Sequence, residues 1–89
     1  MAEQQPEQQL TTDITPGPGG VMTDEVGVVT GELTLRTEPA GKTGAVVTVQ
    51  YKGADEWYTV TGGKVALHDP RDLDAVHALA VALLNRPEG

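Results

Sequence analysis

The sequence predicts an α+β fold: an antiparallel meander of three to five strands, covered on one face by a single C-terminal helix, behind a disordered N-terminal tail. Three observations carry this. Apolar and polar residues alternate through residues 45–67 with two turns between the runs. A segment with a helix-start signal and helical apolar spacing follows from Asp69 to about Asn85. Residues 1–20 are rich in Gln, Pro and Gly and almost lack large apolar side chains.

The chain has 89 residues, enough for one small domain but not for a large core or a deep cleft. Cysteine is absent, which removes disulfides, thiolate metal sites and a cysteine nucleophile together. The formal net charge is -7 and is unevenly placed: residues 1–32 carry six acids and no Lys or Arg, whereas residues 33–89 carry seven acids against six bases. Those bases (Arg36, Lys42, Lys52, Lys64, Arg71, Arg86) are scattered among acids. Direct binding of DNA or RNA is therefore disfavoured, because a phosphate backbone selects clustered cations. Anionic membrane is disfavoured on the same ground. No apolar run approaches the roughly 18 residues of a spanning helix, and the N-terminus does not read as a secretion signal. A cytoplasmic location is the expectation, and the Ala, Gly, Val, Thr, Asp and Pro bias, with one Ile and no Phe, suggests a high-GC bacterial or phage source.

In chain order, residues 1–20 contain four glutamines, three prolines and two large aliphatics, Leu10 and Ile14. That is too little apolar area to offset the entropy of ordering them, so the stretch reads as a disordered acidic tail, with residues 21–89 as the domain and its ordered core at about 26–87. Pro16-Gly17-Pro18-Gly19-Gly20 is a breaker that ends the tail. The double glycine also has a reading as a leader-cleavage site, but the amphipathic leader helix is missing and a linker is the simpler account. A short strand is predicted at residues 26–30 and a second at 32–37, before Glu38-Pro39-Ala40-Gly41 breaks the pattern.

The central meander can be argued by register. Val47, Val49 and Tyr51 share a face, with Val46 the exception. A four-residue loop at Gly53-Ala54-Asp55-Glu56 sets Lys52 opposite Trp57, Tyr51 opposite Tyr58 and Val49 opposite Val60; a three-residue loop would turn Tyr58 and Val60 to the polar side. Gly62-Gly63 then reads as a two-residue hairpin placing Val60 opposite Val65 and Tyr58 opposite Leu67. Val47, Val49, Tyr51, Tyr58, Val60, Val65 and Leu67 form one apolar face. Its cover is the helix begun by Asp69 as N-cap and Pro70 at the first helical position, with Leu73, Val76, Ala80, Leu83 and Leu84 directed at the sheet. Each such burial is worth about 1.5–3 kcal/mol before entropy. A core this small favours self-association, and a homodimer is expected.

The same register puts Trp57 on the face opposite the core, with Lys52, Thr59, Thr48 and Gln50 as neighbours. An exposed tryptophan offers large area at low entropic cost and is a candidate protein-contact anchor; the alternative is that the ring packs under the N-terminal strand or covers the sheet edge. Ala75, Ala78 and Ala82 line the outer helix face, where small side chains would admit a second helix, although alanine is also the best helix former. His77 falls at the border of the apolar stripe and His68 just before the cap. Both read more simply as a satisfied half-buried residue and a capping neighbour than as base or ligand. Asp55 and Glu56 sit in a turn too short to build a carboxylate pocket. Gly62-Gly63 joins strands and does not open a helix, so a phosphate loop is not expected. No catalytic residue, metal or cofactor follows from these patterns.

The run Glu56-Trp57-Tyr58-Thr59-Val60, the Gly62-Gly63 turn, and His68-Asp69-Pro70 leading to Leu73 and Ala75-Val76-His77-Ala78-Leu79 resemble short uncharacterised proteins of Streptomyces-type actinobacteria. The resemblance covers the C-terminal half and implies no activity or site residues. The expected function is a non-enzymatic interaction or regulatory module that binds a protein partner through an open sheet face or edge. Two alternatives stand beside it: an antitoxin-like or nucleic-acid-mimicking inhibitor acting through the acidic tail, and a small ligand-binding protein or enzyme using His68 and His77.

Overall fold

The computed structural model describes residues 9–87. Six strands and one helix follow in order: β1 (Leu10–Ile14), β2 (Val21–Thr23), β3 (Gly27–Val29), β4 (Leu33–Ala40), β5 (Gly44–Tyr51), β6 (Tyr58–Ala66), a 3₁₀ turn (Pro70–Asp72) and α1 (Leu73–Leu84). The expected α+β class is observed, with one strand more than the upper expectation. All pairings are antiparallel, and the strand order is β1-β4-β5-β6-β2-β3.

The first correction concerns the tail. Leu10–Ile14 is not disordered: it pairs with β4 from Leu10 opposite Thr37 to Ile14 opposite Leu33, and Ile14 is only 2% exposed. The boundary of the domain therefore lies at residue 10 or before, and the expectation for residues 1–8 falls outside the described residues. Pro16 is buried, and the Gly20 amide donates to the Gly17 carbonyl at 2.8 Å. The glycine-rich breaker is thus a packed turn inside the domain. Gly20 has φ +69°, and a Cβ there would lie 2.4 Å from the Val29 carbonyl oxygen, so the close approach of β2 and β3 requires glycine.

A short strand is expected at residues 26–30, and β3 occupies part of that span. Strand β4 runs on through Glu38 and Pro39, which read as a break. Proline is tolerated because β1 begins at Leu10 opposite Thr37, so among the described residues Pro39 pairs with Ala45 of β5 alone.

The second correction is in the meander. Tyr58 pairs with Val49, not Tyr51, and Thr59 with Thr48. This is a slip of two residues from the expected register, so every side chain keeps its expected face. Gly62-Gly63 makes no hairpin. Tyr58–Ala66 is one strand, and the shift from Thr48 opposite Thr59 to Val46 opposite Lys64 inserts a wide bulge containing both glycines. Gly62 takes φ +80°, and a Cβ on Gly63 would meet the Val60 carbonyl at 2.9 Å and Val47 Cβ at 3.2 Å. The bulge carries Val60 away from β5 to pair with Thr23 of β2.

Connection lengths show why the sheet curls. Val29 and Leu33 are separated by three residues, a reach of at most about 14 Å, yet β3 lies four strand spacings from β4, about 19 Å in a flat sheet. The β2–β3 hairpin therefore folds over the apolar face, and its Val21 and Val29 join Ile14, Leu33, Leu35, Val47 and Val49 in the core.

Helix α1 covers the other part of that face. Asp69 accepts from the Arg71 amide at 2.9 Å and caps the 3₁₀ turn, so the start signal is used one turn before the α-helix proper. Hydrogen bonding to Arg71 also holds the Asp69 carboxyl below its ordinary range. Leu73 is buried, and Val76, Ala80, Val81 and Leu84 pack on the core. Leu83, expected to point inward, is 60% exposed. The helix is rolled toward β1 and β4, where Asn85 Oδ1 accepts from the Thr15 amide at 2.8 Å and the Arg86 amide donates to the Thr15 carbonyl at 2.8 Å. No helix among the described residues is long and apolar enough to cross a membrane.

Candidate functional site

The sheet face turned away from the helix is built by the alternate residues of β4, β5 and β6. Thr34, Arg36 and Glu38 stand beside Gln50, Thr48 and Val46 on β5, and Thr59 stands opposite Thr48. Period-2 alternation in each strand puts them there, because Leu33, Leu35, Val47 and Val49 claim the other side. Trp57, just before β6, lies on this outer face as expected. The Arg36 guanidinium sits 3.9 Å from its ring centroid, a cation–π contact that fixes both planes. Arg36 is further held by Glu38 at 3.2 Å, while its buried Nε has no hydrogen-bond partner among the described residues. Trp57 is half-buried, so the lone tryptophan is neither a core residue nor a free surface ring.

The other candidate contact residues are placed unequally. Thr48 is 7% exposed and donates to the Arg36 carbonyl at 3.5 Å, so it supports the face from beneath and offers a partner little surface. Gln50 is half-buried and Lys52 exposed. The Lys52 ammonium lies 3.6 Å from Asp13 and 3.8 Å from Glu32, exposed pairs of small energetic worth. Thr59 is engaged by Glu25, whose carboxylate accepts from its amide at 2.7 Å and its hydroxyl at 2.8 Å. These bonds hold the Glu25 carboxyl below its ordinary range. Glu25 is the member of this surface that sequence reading missed. It sits in the β2–β3 turn, 34 residues from Thr59, and no local pattern announces such a contact.

Beside the face, Tyr51 and Tyr58 meet edge to face with centroids 6.5 Å apart. The Tyr58 hydroxyl donates to Glu56 at 2.9 Å, which raises the phenol above its ordinary range.

The two histidines are not brought into one site by any bond. His68 is exposed. His77 is bonded at both ring nitrogens, Nε2 with Thr12 Oγ1 and Nδ1 with Thr37 Oγ1, each at 2.8 Å. The pair of threonines ties the helix to β1 and β4, so the ring is a structural clasp with no nitrogen left for substrate or metal. Burial pushes its pKa below the ordinary 6.5, partly opposed by Asp74. The unfolded ring takes up a proton as pH falls through about 6.5, whereas the folded ring does so only at lower pH. The unfolded state then binds more protons, so the His77 contribution is fully present above that value and declines as pH falls below it. Thermal melts between about pH 7 and pH 5 should show this loss in the native protein, and His77→Gln should flatten it. An unchanged slope would mean that the ring is not desolvated.

Among the described residues no three His, Cys, Asp or Glu side chains converge to hold a metal ion. Ala75, Ala78 and Ala82 are exposed along α1. No protein-family model, curated protein or solved structure matches the chain.

Proposed function

We propose that this protein is a non-enzymatic interaction module that binds a protein partner through its outer sheet face and associates with itself. The observation that carries the reading is Trp57, held by Arg36 on the threonine-rich sheet face turned away from α1. A ring with its orientation already set loses little freedom on binding, which is what makes tryptophan an effective anchor. The surrounding Gln50, Thr34 and Glu38 supply a polar rim. The acidic-tail reading has less support, because Asp13, one of the three acids within residues 1–20, lies in β1 and is engaged by Thr34 within the domain. The histidine reading is weakened by the double bonding of His77.

Trp57→Ala, checked for retained fold by circular dichroism, is expected to weaken partner capture from the native cell by at least about thirtyfold, the effect of losing a hot-spot side chain. If partner binding is unchanged, the anchor is elsewhere.

A further inference from the structure

Sheet order leaves part of β6 without a neighbour. β2 reaches β6 only at Val60, so beyond the bulge the residues from Lys64 to Ala66 pair with β5 on one side and with no strand on the other among the described residues. Over this free edge lies an apolar groove of about 300 Å³, walled on one side by α1 and floored by Val60, Gly63 and Val65. Its rim is formed by Leu79 and Leu83, one helical turn apart and each 60% exposed, with Val65 at 38%. Nothing charged lines it, although the chain is acidic. Lys64 stands beside Val46, on the opposite face from Ala45 and Val65, where its charge helps lower the Glu25 carboxyl.

We infer that this groove is the seam of a homodimer in which β6 pairs antiparallel with β6 of a second copy. The inference rests on the self-association part of the reading above and assigns it to a surface separate from Trp57. A second copy fits because it supplies both missing parts at once. A two-fold axis perpendicular to the sheet satisfies the free backbone edge of each β6 with that of the other. The same axis keeps both helices on one side of the joined sheet, so that Leu79 and Leu83 of each chain form the wall the other groove lacks. With no carboxylate at the seam, the net charge is not concentrated where the copies meet. The eleven residues lining the groove are about half of the roughly 20–30 per side in a standard interface, so the dimer is weak and concentration-dependent. The alanine stripe expected from the sequence as a seam lacks a strand edge to pair.

Sedimentation of the full chain across a concentration series tests this. The native protein should pass from 9.3 kDa to twice that mass. Leu79→Glu with Leu83→Glu should remain monomeric, with association weakened at least about a hundredfold by burying carboxylates in an apolar seam. Both positions are exposed, so the helix signal should be retained. As a second measurement in a chain without cysteine, Leu83→Cys should form an intermolecular disulfide under oxidation, and Ala78→Cys should not. A native protein monomeric at every concentration would overturn both self-association and this seam. A dimer that survives the double substitution, or cross-links through Ala78→Cys alone, would overturn the seam and leave self-association standing.

Discussion

Removing residues 1–20 is expected to abolish cooperative folding, whereas removing only residues 1–8 should leave the melting temperature unchanged. The longer deletion takes away β1, which covers one side of β4 over five residue pairs. It also removes Ile14 from the core, whose loss to alanine alone would cost about 2–5 kcal/mol. Thr12 and Thr15 go with it, the first bonded to His77 and the second to Asn85 and Arg86, so α1 loses its attachment along the same strand. A domain of this size holds in total about 4–12 kcal/mol. Circular dichroism melts of the two truncated proteins read the outcome directly. A cooperative transition within a few degrees of native in the longer deletion would show that β1 is dispensable.

Leu35→Ala should be the most damaging single core truncation, at about 2–5 kcal/mol, enough to populate the unfolded state at ambient temperature. Leu35 is 0% exposed and sits mid-strand in β4, with Thr12 on one side and Val49 on the other. Neighbours held in two ladders cannot collapse into the space it leaves, which pushes the cost toward the upper end. Leu79→Ala is the internal comparison. At 60% exposure it should change monomer stability by less than about 1 kcal/mol, while weakening the proposed dimer. Urea titrations at low protein concentration separate the two. Equal midpoint shifts would contradict the packing of β4.

The contrast between these leucines marks where sequence reading succeeded and failed. The face assignments in β5 and β6 were legible because alternation is a property of the extended backbone. Val47 and Val49 are buried, while Tyr58 and Val60 are packed on the core, although the register differs by two residues from expectation. The outward placement of Trp57 followed from the same parity. Its half-burial did not, because the Arg36 that covers it comes from another strand. Strand β1 left a faint signal in Leu10, Thr12 and Ile14, alternate residues on one face. Of its three inward side chains only Leu10 and Ile14 are large aliphatics, and the partners of this strand lie on β4 and α1. Gly62-Gly63 suits a hairpin and a bulge equally, since both ask for glycine conformational freedom or a missing Cβ. The choice was made by β2, which draws Val60 to itself.

Helix α1 shows the same division. Its existence and its end near Asn85 were written locally in apolar residues at helical spacing, whereas the Asp69 side chain that reaches the Arg71 amide caps the 3₁₀ turn before it. The roll of α1 was not written locally. His77, bonded to Thr12 and Thr37, sets which side of the helix faces down, turning Leu83 outward to join Leu79.

By itself, then, the sequence determined the class of fold, the two faces of the central strands and the presence and end of the helix, because periodicity depends on residues a few positions apart. Tertiary structure alone decided that Leu10–Ile14 of the apparent tail is an edge strand, that the double glycine is a bulge, and that two helix leucines and one strand edge lack a partner among the described residues. Those outcomes depend on competition between distant segments for the same hydrogen bonds and the same apolar surface, which no local pattern can rank.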